Sequence, residues 1–157
     1  MKCIRATKIA LAAALIWSLE PASPALAQIG LGTWIRQAGP ATPGEIVMTV
    51  EACCNGGRRL SYRIRMGGTE QQMVVESPFD GKEVPVLVDG KPSGETMAIT
   101  LVDPRHTSTI VKMNGKPFGI SKATLSADGR TLTVENEFSS AVGGNPAGRT
   151  TETWVRK

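Results

Sequence analysis

The sequence predicts an all-β protein: a single antiparallel up-and-down β-barrel of 8–10 strands, preceded by a cleaved signal helix. Three observations lead there. Apolar and polar residues alternate with period two along several runs, the pattern of strands with one buried face. Asn-Gly, Asp-Gly and Gly-Gly pairs punctuate those runs at hairpin spacing. No stretch of the chain beyond the N-terminal segment has convincing helical periodicity. An open meander would leave two exposed edges, and closing it removes both, so a barrel is favoured over an open sheet. A two-layer sandwich is the alternative closure.

The first 27 of the 157 residues stand apart. Lys2, Arg5 and Lys8 make a basic opening, and residues 9–17 form an uncharged apolar run. Pro21 and Pro24 then break any helix, and Ala25-Leu26-Ala27 is a small-residue cleavage site. That order reads as a secretory signal peptide cut after Ala27. The apolar run is too short to span a bilayer, so no stable membrane span is expected. The expected organisation is therefore a signal peptide over 1–27 and one barrel domain over 28–157, in a periplasmic or secreted protein.

Cleavage changes the charge. The full chain carries 18 Lys and Arg against 14 Asp and Glu, a net +4. Losing Lys2, Arg5, Lys8 and Glu20 leaves 15 against 13, a net +2. So small an excess, with no basic cluster beyond Arg58-Arg59, argues against nucleic-acid binding. All 17 Gly remain, about 13% of the mature chain, against roughly 7% on average. That excess suits a protein made of strands and tight turns.

The strands follow in order. Residues 32–35 make a short first run. Ile46, Met48, Val50 and Ala52 then alternate with Val47, Thr49 and Glu51. The clearest alternation is 59–66, where Leu60, Tyr62, Ile64 and Met66 face one way and Arg59, Ser61, Arg63 and Arg65 the other. Weaker runs occupy 70–77, 83–88, 95–102 and 108–113. In 118–126 the apolar phase slips from Phe118 and Ile120 to Ala123 and Leu125, which predicts a bulge near Ser121-Lys122. Leu132, Val134 and Phe138 alternate with Thr131, Thr133, Glu135 and Glu137, and 150–156 closes the set. Turns are expected at Gly56-Gly57, Gly67-Gly68, Asp80-Gly81, Asp89-Gly90, Asn114-Gly115 and Asp128-Gly129, pairs that tolerate positive φ. The 36–45 and 139–148 stretches read as surface loops.

Gly32-Thr33-Trp34 is a G-x-W on the first strand, and the chain ends on a strand carrying Trp154 and Arg156. With the hairpin around Asp128-Gly129-Arg130 and the Asp80-Gly81-Lys82 turn, this order resembles small exported bacterial lipocalin-like (calycin-type) β-barrel proteins. In lipocalins an Arg of the last strand lies over the Trp of the G-x-W and closes the barrel base. The resemblance implies that role for Arg156, with Gly32 and Trp34. Fatty-acid-binding proteins, which share the signature, insert a two-helix lid after the first strand. The 36–45 gap is too short and too rich in Pro and Gly for that. Their basic pair for a fatty-acid carboxylate has no matching position either. The resemblance thus supports the barrel more than a fatty acid.

The expected function is binding of a small apolar or amphipathic ligand by Leu60, Tyr62, Ile64, Met66, Leu132, Val134 and Phe138. The alternative is an interaction module, an inhibitor or envelope scaffold, with a side-chain-filled barrel and the two long loops contacting a protein partner. Cys53-Cys54 is the only Cys pair left after cleavage, in an oxidising compartment. Neighbouring Cα atoms are only about 3.8 Å apart, closer than in ordinary disulfides, so pairing needs a turn, and Asn55-Gly56-Gly57 supplies one. Three readings stay open: a disulfide between neighbours, bridges giving a disulfide-linked dimer, or one buried and one exposed thiol. His106 is the only His and follows Asp103-Pro104-Arg105, which reads as a solvated turn; no metal site is expected. Glu135 and Glu137, like Arg59, Arg63 and Arg65, read as outer surface, the arginines alternatively as a patch for anionic head groups. No motif links Ser, His and Asp, so neither an enzyme nor a cofactor is expected.

Overall fold

A computed structural model describes residues 30–39, 44–141 and 147–157. The proposed signal peptide lies outside them, as do residues 40–43 and 142–146 of the two long loops. Ten strands follow one another: β1 (Gly32–Arg36), β2 (Glu45–Cys53), β3 (Gly57–Met66), β4 (Thr69–Ser77), β5 (Asp80–Val88), β6 (Lys91–Asp103), β7 (His106–Met113), β8 (Lys116–Leu125), β9 (Thr131–Phe138) and β10 (Gly148–Arg156). Each pairs antiparallel with its sequence neighbours, and β1 pairs with β10, so the meander closes into a barrel. Among the described residues the one helical element is a 3-10 turn, Cys54–Gly56.

The closing seam is short. Trp34, Ile35 and Arg36 face Arg156, Val155 and Trp154. Two further bonds extend it, from the Gln37 N–H to the Thr153 carbonyl and from the Lys157 N–H to the Thr33 carbonyl. By contrast β2 and β3 stay in register from Glu45↔Arg65 to Cys53↔Gly57. That pairing places Met48 beside Tyr62 and Val50 beside Leu60 on the inner face. Ile46, Met48, Val50, Ile64, Leu125, Trp34 and Trp154 form one buried cluster, and Val75, Val86 and Ile99 a second.

The turns at Gly67-Gly68, Asp89-Gly90 and Asn114-Gly115 connect hairpins as the sequence suggests. Asp80-Gly81 does not. The connection between β4 and β5 is Pro78-Phe79, where Phe79 takes a positive φ and its N–H donates to the Ser77 hydroxyl. Asp80 and Gly81 already belong to β5. The ladder with β6 gains one residue between Asp80↔Thr100 and Glu83↔Ala98, so Asp-Gly serves a bulge there. The bulge expected at Ser121-Lys122 is also elsewhere. The β8–β9 ladder runs unbroken from Gly119↔Phe138 to Leu125↔Leu132. The extra residue falls between Val111↔Gly119 and Lys112↔Pro117, at Phe118. The inner face of β8 is therefore Gly119, Ser121, Ala123 and Leu125, and Ile120 faces out, 42% exposed. Gly119 is required because any Cβ would meet the Phe138 ring.

Candidate functional site

The barrel encloses a cavity of about 300 Å³. Its wall is mostly apolar. Leu60, Tyr62 and Ile64 from β3 contribute, with Leu132, Val134 and Phe138 from β9, and Met48, Met73, Met97 and Ile99 from neighbouring strands. Met66 was expected among them and is not. It sits at the last position of β3, beside the Gly67-Gly68 turn, where the strand has run past the interior, and it is 38% exposed.

One end of the barrel is stoppered. Trp34 is completely buried, and its indole N–H donates to the Gly30 carbonyl at 2.6 Å. The Arg156 guanidinium lies 4.8 Å from the Trp34 ring centre, a cation–π arrangement. Gly32 suits this end because its φ of +118° is one that L side chains rarely adopt, while a Cβ there would make only ordinary contact with Arg156 Nη1 at 3.7 Å.

The interior also holds charge that the sequence reading did not place there. Arg36, Glu95, Asn136 and Glu152 all line the cavity, and the first three are more than nine-tenths buried. Each was legible in principle as a polar residue on the inward phase: Arg36 with Trp34, Glu95 with Met97 and Ile99, Asn136 with Val134 and Phe138, Glu152 with Trp154. Residue 36 opens a stretch whose Pro and Gly indicate loop, and polar members of an apolar face carry no hydrophobic signal. Arg36 Nη1 faces Glu152 Oε1 at 3.4 Å, and the Trp154 indole N–H donates to Glu152 Oε2 at 2.9 Å. The Ser121 hydroxyl donates to Asn136 Oδ1 at 2.6 Å. Arg36 Nη2 and Asn136 Nδ2 are buried donors without an acceptor among the described residues.

Glu95 differs from the others. Its backbone N–H is held by the Ser93 hydroxyl, but no hydrogen bond or ion pair reaches its carboxyl among the described residues. Burial pushes that carboxyl above its ordinary range. Tyr62 packs edge-on to Trp154 with ring centres 6.1 Å apart. Burial, then the negative charge of Glu152 and Glu95, pushes its hydroxyl far up, so it stays neutral. Both carboxylates thus act on one phenol across the cavity.

Several charges outside the barrel are paired and exposed. Arg59 binds Glu76, Arg65 binds Glu70, and Arg149 Nε lies 3.3 Å from Glu137. His106 opens β7 rather than sitting in a turn, and its Nδ1 lies 2.7 Å from the Asp103 carboxylate. The Arg105 N–H and then His106 hold Asp103 below its usual range. No three His, Cys, Asp or Glu side chains gather as metal ligands among the described residues. No helix among them is long and apolar enough to cross a membrane. Cys53 and Cys54 are bonded to each other. The chain accommodates this by putting Cys54 and Asn55 at positive φ. Of the three open readings this is the bond between neighbours, and neither sulfur is then left to bridge a second chain.

No protein-family profile matches the chain, and no curated protein matches it in sequence. Among solved structures it is similar to a point mutant of the fluorescent protein UnaG, with TM-score 0.55 and 12% identity, over 82% of this chain and 96% of that one. At that identity the likeness speaks for the fold alone. What the two share is the closed antiparallel β-barrel.

Proposed function

We propose that this protein is an exported carrier that holds one small amphipathic molecule inside its barrel and does not transform it. The observation that carries the reading is the cavity of about 300 Å³, apolar along most of its wall and polar at Arg36, Glu95, Asn136 and Glu152. That volume is at the lower end of small-molecule sites. The cavity favours a carrier over an interaction module with a side-chain-filled barrel. Export rests on the basic, apolar and Ala25-Leu26-Ala27 order of the first 27 residues.

Native mass spectrometry of protein recovered from its own envelope tests both parts. The expected result is a polypeptide beginning at Gln28 with a bound small mass that dissociates on activation. A clean apo polypeptide that also fails to bind apolar fluorescent probes would overturn the carrier. An intact N-terminus in the cytosol would overturn export.

A further inference from the structure

The charges in the cavity do not balance. Its wall carries three ionisable groups that are charged at neutral pH when exposed: Arg36, Glu152 and Glu95. Arg36 and Glu152 face each other and neutralise. The Trp154 indole takes the second oxygen of Glu152. Glu95 is left over. It is 8% exposed, it lines the cavity, and no cation, N–H or O–H of the described residues reaches its carboxyl. Buried carboxylates are seldom found without a partner, because desolvation is costly when nothing answers the charge. A tight core could have used Gln or Met at this position. The residue instead lines the space a ligand would fill.

We propose that Glu95 is the counter-ion for a protonated amine on the ligand, so that the barrel takes a small cationic amphiphile. This rests on the carrier reading. An ammonium group at Glu95 would bring the cavity to neutrality and satisfy both carboxylate oxygens with charge-assisted bonds. A carboxylate ligand would do the opposite. It would add a negative charge beside Glu95 and Glu152, where the Arg36 charge is already answered by Glu152. The free donors, Arg36 Nη2 and Asn136 Nδ2, can be met by a neutral oxygen elsewhere on the ligand.

Three probes of one chain length separate the possibilities: n-octylamine, n-octanol and n-octanoate, titrated by calorimetry into the mature protein and into Glu95→Gln. Octylamine is expected to bind wild type about tenfold or more tighter than octanol, and octanoate weakest. In E95Q the octylamine advantage should vanish while octanol changes by less than about twofold. The carboxyl carbon resonance of Glu95 gives a readout that needs no variant. At a pH where it is partly protonated, octylamine should drive it to the ionised position and octanol should not. Octanoate binding as tightly as octylamine, unchanged amine affinity in E95Q, or an unmoved resonance would overturn the counter-ion. Equal affinity for octanol and octylamine would overturn it while leaving the carrier standing. Failure of all three probes to bind would overturn both.

Discussion

Glu95 makes the stability of the empty barrel depend on pH in a definite direction. Its carboxyl is held above the ordinary value of 4.5 by burial, so the folded chain keeps this proton longer than the unfolded chain. The stability contributed by that proton is complete below the unfolded value and is lost as pH rises through the folded one. Glu95→Gln removes the titration and keeps the shape. Urea denaturation at constant ionic strength, from about pH 4 to about pH 8, should show E95Q gaining on wild type as pH rises. A difference that stays flat with pH would mean the carboxyl is solvated in the folded protein. This residue was not legible beforehand for a physical reason. Alternation marks which residues share a face, but a charged residue breaks the apolar pattern that identifies the face as inner. Leu60, Tyr62, Ile64, Leu132, Val134 and Phe138 were found because they are apolar. Arg36, Glu95, Asn136 and Glu152 occupy the same inward phase but are polar, so the apolar pattern does not mark them.

Strands and hairpins were legible where one face is uniformly apolar, as in β2, β3 and β9. They were less so where small residues make room for large ones. The inner face of β8 is Gly119, Ser121 and Ala123, because the Phe138 ring needs the volume a larger chain would take. Apolar patterning therefore highlighted the outward Ile120 and misplaced the bulge, which lies at Phe118, whose ring meets Phe138 at 5.8 Å. Gly119→Ala should destabilise the protein by about 1–3 kcal/mol, since the new methyl has no room to enter. Its Cβ would collide with the Phe138 ring and lie 2.6 Å from the Glu137 carbonyl oxygen. Chemical denaturation measures the loss, and a neutral result would show that β8 and β9 can separate without cost. Local sequence was similarly ambiguous at Asp80-Gly81. An Asp-Gly pair supports a hairpin turn or a bulge equally, and only the pairing with Thr100 and Ala98 decides.

At the scale of the molecule, closure was inferred from the penalty on free edges, and it is achieved by the β1–β10 pairing under Trp34 and Arg156. What periodicity could not convey is that closure is uneven around the wall. β2 and β3 are joined along nine residue pairs and so are β3 and β4, while β4 and β5 share only Met73↔Val88, Val74↔Leu87 and Val75↔Val86. Beyond Val75 the two strands part. Ser77 pairs with Arg58 on one side, and Asp80 with Thr100 on the other. Pro85 adds a missing donor at the fork. The β4–β5 seam, held like the β1–β10 seam by three residue pairs rather than nine, should be one place where wedge-shaped transient openings begin. Hydrogen–deuterium exchange should find the amides of Val86 and Leu87 trading with solvent well before those of Val50 and Tyr62. Uniform exchange around the ring would mean that the wall yields only as a whole. A wall that parts locally can admit a molecule to the interior at a rate independent of global unfolding.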